Sequence, residues 1–176
     1  MTFEGRFQIY TGNGKGKTTA ALGLAVRAAC AGLRVYIGQF IKGSGSAELS
    51  LPEYFPRRII IEQYGDAVLI GEGEEPSRKD VSLAVDGLAR LTAAMLSGNY
   101  QVVIADELNI AIYMGLLSVG SVVDLVCARP GDVELILTGR HAHQNLIESA
   151  DLVTEMVEKK HYYATEKLGA RKGIEF

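Results

Sequence analysis

Two rhythms of apolar residues alternate along the chain. Short runs with few polar interruptions are RFQIY (Arg6–Tyr10), RVYIGQFI (Arg34–Ile41), RIIIEQY (Arg58–Tyr64), QVVIA (Gln101–Ala105) and VELILT (Val133–Thr138). They are strand-length, and several are rich in β-branched residues. Between them the spacing becomes helical. Lys17–Ala31 places Leu22, Ala25, Val26 and Ala29 on one face and stops at Gly32. Val81–Leu96 repeats Val81, Ala84, Val85, Leu88, Leu91 and Met95. Leu108–Leu117, Val119–Cys127 and about His143–Ser149 read as further helices, and Leu152–Val157 as a last strand. Lys42–Arg57 reads as a loop, Gly71–Asp80 as a polar connection, and Lys159–Phe176 as a basic tail with interleaved aromatics.

Near-continuous apolar strands alternating with helices predict an α/β fold, a parallel sheet covered on both faces. Ligands of such sheets bind beyond the C-terminal ends of the strands. The 176 residues show no internal repeat and no linker, so a single domain over residues 1–176 is expected.

Hydrophobic residues at 48% and charged residues at 22% are ordinary globular values, enough for a core without disulfide staples. Eighteen Lys and Arg against twenty-one Asp and Glu give a net charge of -3, too mild for a coat on nucleic acid or an anionic membrane. Cys30 and Cys127 lie in apolar stretches without metal-ligand spacing and read as buried thiols in a reducing compartment. The N-terminal MTFEGRFQIY has no apolar signal core. Leu91–Ala105 and Leu108–Val123 fall short of the roughly 18–20 apolar residues that span a bilayer. A cytoplasmic protein is expected.

The first strand runs into TGNGKGKTT (Thr11–Thr19), which opens the first helix. That is the context of a P-loop. Gly12, Gly14 and Gly16 let backbone N–H groups close around phosphate oxygens, and the helix N-terminus favours a polyanion. Lys17 puts a cation on the phosphates, and the Thr18 hydroxyl can ligate magnesium. From Gly12 to Gly16 the loop is one residue shorter than the usual pattern, whose first glycine position holds Thr11.

VVIADE (Val102–Glu107) leads a strand into two carboxylates. A parallel neighbour of the P-loop strand would bring them to the phosphates. There Asp106 reads as a water-mediated metal partner and Glu107 as a metal ligand or a base. The same acids would also suit a helix N-terminus. Thr138-Gly139-Arg140 ends another strand. Arg140 there either binds phosphate or carboxylate by its planar fork or belongs to a surface turn. His141 and His143, two apart, read as solvent-facing or capping. Arg27, in an apolar helix, is a buried partner for an acid or a ligand contact.

GNGKGKTTAALGLAVRA (Gly12–Ala28), QFIKG (Gln39–Gly43), ADELNIA (Ala105–Ala111), ARPGDVELILTGR (Ala128–Arg140), ADLVTEM (Ala150–Met156) and the tail ARKGIEF (Ala170–Phe176) together resemble the ATP:corrinoid adenosyltransferases, in order and over nearly the whole chain. The resemblance implies a P-loop NTPase-like (RecA-like) sheet, usually in a homodimer, that transfers the 5′-deoxyadenosyl group of ATP to cobalt(I) of a corrinoid and releases triphosphate. It implies an ATP site of Gly12, Asn13, Gly14, Lys15, Gly16, Lys17, Thr18 and Thr19, with Arg27 and Arg140. Lys17, Thr18 and Glu107 would be catalytic, and Thr18, Asp106 and Glu107 would hold Mg2+ or Mn2+. It implies ATP bound in reverse, its ribose C5′ offered to cobalt, and leaves room for a reductase partner. A P-loop ATPase or small-molecule kinase, and a non-catalytic nucleotide or corrinoid binder, are the alternatives.

Some members carry Gly-Phe-x-Trp under the corrin ring, where this chain has Gly73, Glu74, Glu75 and Pro76. Some also carry an extension before the first strand, which here begins close to the start. Tyr54 with Phe55, or Tyr162 with Tyr163, could pack on the macrocycle or anchor loops and a dimer contact. Lys159, Lys160, Lys167, Arg171 and Lys172 read as a solvated surface that could also meet corrin side chains.

Overall fold

The computed structural model describes residues 3–41, 45–65 and 75–175. Six parallel strands form one sheet: β1 (Phe7–Thr11), β2 (Val35–Gln39), β3 (Ile59–Gln63), β4 (Val102–Asp106), β5 (Glu134–Thr138) and β6 (Leu152–Glu155), in the order β3-β2-β4-β5-β1-β6. The helices are α1 (Lys17–Cys30), α2 (Leu51–Tyr54), α3 (Arg78–Leu96), α4 (Leu108–Tyr113), α5 (Val119–Cys127), α6 (Gln144–Ser149) and α7 (Tyr162–Glu166).

The sheet is apolar on both faces because successive side chains point to opposite sides. Val103 and Ala105 of β4 join Phe7, Ile9, Leu135 and Leu137 in one cluster, together with Leu88, Leu91 and Met95 of α3 and Leu125 of α5. Val102 and Ile104 face the other way, with Val35, Ile37, Ile59 and Ile136, against Ala21, Ala25, Ala28 and Ala29 of α1. Alanines on that helix face leave little between backbone and sheet. All five residues of β2 and β4 are buried, whereas β6, at the edge, is exposed throughout.

Tyr64, just past β3, is wedged into this layering. A Cβ on Gly87 of α3 would lie 2.3 Å from Tyr64 Cγ, and one on Gly38 of β2 would lie 2.6 Å from its Cε2. The Tyr64 hydroxyl meets that of Tyr36, and burial pushes the Tyr64 pKa up to about 12. The two glycines are therefore slots for one ring.

Several expectations change. The segment read as a loop over 42–57 contains a 3-10 turn (Ala47–Ser50) and α2. Helix α3 starts at Arg78, inside the stretch read as a polar connection. Ser77 and Asp80 form a reciprocal capping box that the apolar periodicity does not register. Residues 66–74, with Gly73 and Glu74, lie outside the described residues, as do 42–44, the last two residues of the QFIKG stretch among them. Cys30 and Cys127 are exposed, not buried. Each is the last residue of its helix and lies off the face that packs, which α1 makes with Ala21, Ala25, Ala28 and Ala29 and α5 with Val122 and Leu125. Among the described residues no helix is long and apolar enough to cross a membrane.

Gly87→Ala is expected to destabilise the fold by about 1–3 kcal/mol, because its methyl cannot coexist with the Tyr64 ring. A urea midpoint equal to that of the parent chain would show that the ring moves freely aside.

Candidate phosphate-binding site

Strand β1 ends at Thr11, α1 begins at Lys17, and the intervening turn bends through Gly12 (φ 95°) and Gly16 (φ 118°), a region open chiefly to glycine. The turn is pressed from one side by the chain leaving β6. The Gly14 N–H donates to the Met156 carbonyl at 2.6 Å, and a Cβ on Gly12 or Gly14 would stand 2.5 or 2.7 Å from that oxygen. The Lys17 ammonium donates to the Gly12 and Gly14 carbonyls at 2.8 Å each. Only 8% of Lys17 is exposed. Burial lowers its pKa, the Glu107 carboxylate pulls it back up, Arg140 lowers it further and Asp106 raises it.

Opposite the turn, the ends of four neighbouring strands carry polar side chains that join in a chain. Gln63 Nε2 donates to Gln39 Oε1 at 3.0 Å, and Gln39 Nε2 donates to Asp106 Oδ2 at 3.1 Å and to Glu48 Oε1 at 3.0 Å. Thr138 Oγ1 donates to Asp106 Oδ1 at 2.6 Å, and Thr18 Oγ1 donates to the same oxygen at 2.9 Å. Asp106, 1% exposed, is thus the acceptor on which three segments converge. The next residue, Glu107, turns out of the strand with φ 61°, its N–H donating to Thr138 Oγ1 at 2.9 Å. That left-handed backbone, costly for a residue with a side chain, is held at the mouth of the site.

The acidic pair was expected on a strand directly beside β1. Instead β5 lies between β1 and β4. The hydroxyl of Thr138 fills the gap on Asp106, and Thr18 reaches it from the first turn of α1.

A cavity of about 560 Å³ opens over the turn. Asn13, Gly14, Lys15, Gly16, Lys17, Thr18 and Thr19 line one side, and Glu107 and Arg140 line another. Gly12 belongs to the same turn, through its carbonyl on Lys17. Glu48, from the segment read as a loop, and Gly173–Glu175, from the tail read as solvated surface, also line it. Arg27 is not brought to the cavity; it is exposed in the last turn of α1, where helix phase turns it away from the sheet.

His143 caps α6 by accepting from the Asn145 N–H, and His141 stacks on Tyr113 with ring centroids 4.0 Å apart. Tyr54 is 75% exposed, while Phe55 packs against the α1 cluster. Among the described residues no three His, Cys, Asp or Glu side chains are grouped to hold a metal alone. Hard oxygens are nonetheless present in Thr18, Asp106 and Glu107. They suit a magnesium-type ion that keeps waters and leans on phosphates. Reading the sequence missed Gln39, Gln63, Glu48 and Glu175. Polar residues closing apolar strands, QF and EQ here, were the signal for the first two.

The family model for ATP:corrinoid adenosyltransferase BtuR/CobO/CobP matches residues 4–176. A corrinoid adenosyltransferase of Pseudomonas aeruginosa is 36% identical over 176 residues, covering 98% of this chain and 84% of that protein. The corrinoid adenosyltransferase CobA of Salmonella typhimurium is 32% identical over 169 residues, 96% of this chain and 84% of that one. An uncharacterized Nostoc protein, all2391, is 38% identical over 177 residues, or 93% of this chain, which spans about half (47%) of its length. Among solved structures, the KaiC-like protein PH0186 of Pyrococcus horikoshii superposes with a TM-score of 0.58 at 20% identity, over 89% of this chain and 75% of that one. This is a likeness of fold.

Asp106→Ala leaves two hydroxyls and one amide without their shared acceptor. A loss of about 1–3 kcal/mol in urea unfolding is expected. An unchanged midpoint would mean that the strand ends are held together without this carboxylate.

Proposed function

The chain belongs to the ATP:corrinoid adenosyltransferase family, and on that footing we propose that it transfers the 5′-deoxyadenosyl group of ATP to cobalt(I) of a corrinoid, in the synthesis or salvage of adenosylcobalamin. The cobalt–carbon bond forms as the C5′–oxygen bond breaks, and inorganic triphosphate leaves with the electron pair. The observation that carries this reading is the short glycine turn Gly12–Gly16, clamped by Met156 and backed by Lys17, inside a family match that covers nearly the whole chain.

Cobalt(I) is itself a strong nucleophile, so the protein's task is in-line placement and stabilisation of the departing charge. Lys17 and the N–H groups at the start of α1 serve that charge, and the Arg140 guanidinium adds a second cation. Asn13, Gly14, Lys15, Gly16 and Thr19 complete the nucleotide cradle. Thr18, Asp106 and Glu107 would hold Mg2+ or Mn2+, which supplies further charge neutralisation on the phosphates. The nucleotide lies reversed relative to ordinary P-loop enzymes, with its ribose turned to the corrinoid, and the missing loop residue is the physical reason. Arg27, on the outer face of α1, has no part in this set. The working form is a cytoplasmic homodimer supplied with reduced corrinoid by an electron-donating partner.

Incubation with ATP, magnesium or manganese, and chemically reduced cobalamin is expected to give an adenosylated corrinoid and triphosphate. ADP without a cobalt–carbon product points instead to a kinase or ATPase. Lys17→Ala and Thr18→Ala should each still fold, at some cost in stability from the lost contacts to the loop carbonyls and to Asp106, and should lower turnover by a factor on the order of a hundred or more, since both act on charge that develops at the leaving group. Full activity in either variant means that the phosphates lie elsewhere.

Lys17 also gives a pH signature. Burial lowers its pKa below 10.5 in the folded chain, and a bound polyanion raises it again. ATP, whose phosphates are already fully ionised in the alkaline window beneath 10.5, should therefore take up protons on binding there and bind more weakly as pH rises through the lowered pKa. Calorimetry in buffers of different ionisation enthalpy measures the uptake, and a proton count of zero across that window would refute it.

A further inference from the structure

The ARKGIEF stretch marks the family resemblance, yet the mechanism above gives its residues no role. In the fold the tail returns to the glycine turn. Lys15 Nζ donates to the Ile174 carbonyl at 2.6 Å and stands 3.9 Å from Glu175 Oε1. Glu175 is itself gripped from several directions. It accepts from the Arg171 N–H at 2.7 Å, from Arg171 Nη2 at 3.2 Å and Nε at 3.3 Å, and from the Tyr162 hydroxyl. Arg171 and Tyr162 hold the carboxyl at about 2, so it stays ionised at neutral pH. Gly173, Ile174 and Glu175 line the same cavity as Asn13–Thr18. One wall of the proposed polyphosphate site therefore carries a fixed negative charge beside a lysine of the cradle.

Lys15 has two claimants in this geometry. The first is the tail, through one carbonyl and one carboxylate. The second is any polyphosphate in the turn. A partly exposed ion pair is weak, so a ligand with several charges takes the lysine. The tail's claim still subtracts from what that ligand gains. This matters most after the C5′–oxygen bond has broken. Inorganic triphosphate then carries one more ionisable oxygen than its esterified form and faces the same N–H groups and Lys17. A cradle built only of donors and cations would hold that product tightly.

We propose that Glu175 is a positioning residue that acts through Lys15: its carboxylate competes with bound polyphosphate for the Lys15 ammonium, loosens the hold on triphosphate and speeds its release. This rests on the reading that places triphosphate in the glycine turn. Arg171 screens Glu175 at a distance, so the effect is local and travels through the neighbouring lysine. Tyr162 and Arg171 keep the carboxylate at that spot, which gives the tail motif a chemical task.

The test is calorimetric titration of magnesium triphosphate, without corrinoid, into the parent chain, Glu175→Gln, Lys15→Ala and the double variant. Glu175→Gln removes the charge and keeps one of the two accepting oxygens, so that either Tyr162 with Arg171 Nη2 or the Arg171 N–H with Nε retains its acceptor. It should bind triphosphate about threefold to tenfold more tightly, with the gap narrowing as salt is raised. In the Lys15→Ala background the same substitution should change affinity less than about twofold, the mark of coupling through that lysine. Glu175→Ala, which also removes the charge, should shift affinity in the same direction. In steady state, KM for ATP should fall while kcat does not rise.

Equal or weaker triphosphate binding by both Glu175 variants overturns the proposal, and so does a full-sized gain that survives loss of Lys15. Failure of the functional reading looks different. Adenosylated corrinoid from the parent chain with no change of affinity at Glu175 sinks this inference alone. Tighter triphosphate binding with no cobalt–carbon product sinks the transferase reading, and with it the role in product release, and leaves standing only the competition of Glu175 for Lys15.

Discussion

One nearly inaccessible carboxylate holds the functional end of the sheet together. Asp106 closes β4 and receives hydrogen bonds from Thr18, Thr138 and Gln39. A charge taken out of water must be matched by donors of its own, and these come from three separate segments. That requirement ties α1 to β4 across β5, fixes the heights at which β2 and β5 end, and seats Glu107 at the rim. The registers agree with it: Gln39 pairs with Asp106 on one side and with Gln63 on the other. The polar row at the strand ends is thus the sheet's own register, written in side chains.

Against that row stands the glycine turn, and neither wall has slack. Met156 occupies the space in which side chains at positions 12 and 14 would lie, while Lys17 draws two loop carbonyls together. On the far side of α1 a face of alanines seats the helix closely on the sheet. A short loop between a fixed strand and a closely docked helix has few shapes open to it. Preorganised donors of this kind stabilise charge without reorganising at the moment it appears. The tail adds the opposite tendency, an anion beside the cradle that limits how firmly a product is kept.

Much of the frame was legible from local pattern. β2 and β4 are buried on both faces, and such strands appear as apolar runs with no alternation. The glycine turn and the acidic pair were legible because each is a contiguous motif at a strand end. The cysteines were misread because apolar neighbours in sequence do not share a helix face: Cys30 and Cys127 each fall one or two residues past the last packed position. The start of α3 was missed because a capping box is polar and periodicity counts only apolar residues. Arg27 drew attention as a charge among apolar residues, yet its helix phase turns it outward.

By itself the sequence determined the strand and helix rhythm, the parallel sheet and the glycine turn between β1 and α1, because each depends on residues within a few positions of one another. Spacing along the chain sets those directly through the backbone periods. Only the tertiary structure decided that β5 separates the turn from the acids, that Gln39 and Gln63 extend their network, and that the tail comes back to Lys15. The reason is reach: Lys15 and Ile174 are 159 residues apart, and nothing in the local pattern of either records the meeting. Such contacts are selected by how the whole sheet packs, which fixes where distant ends arrive.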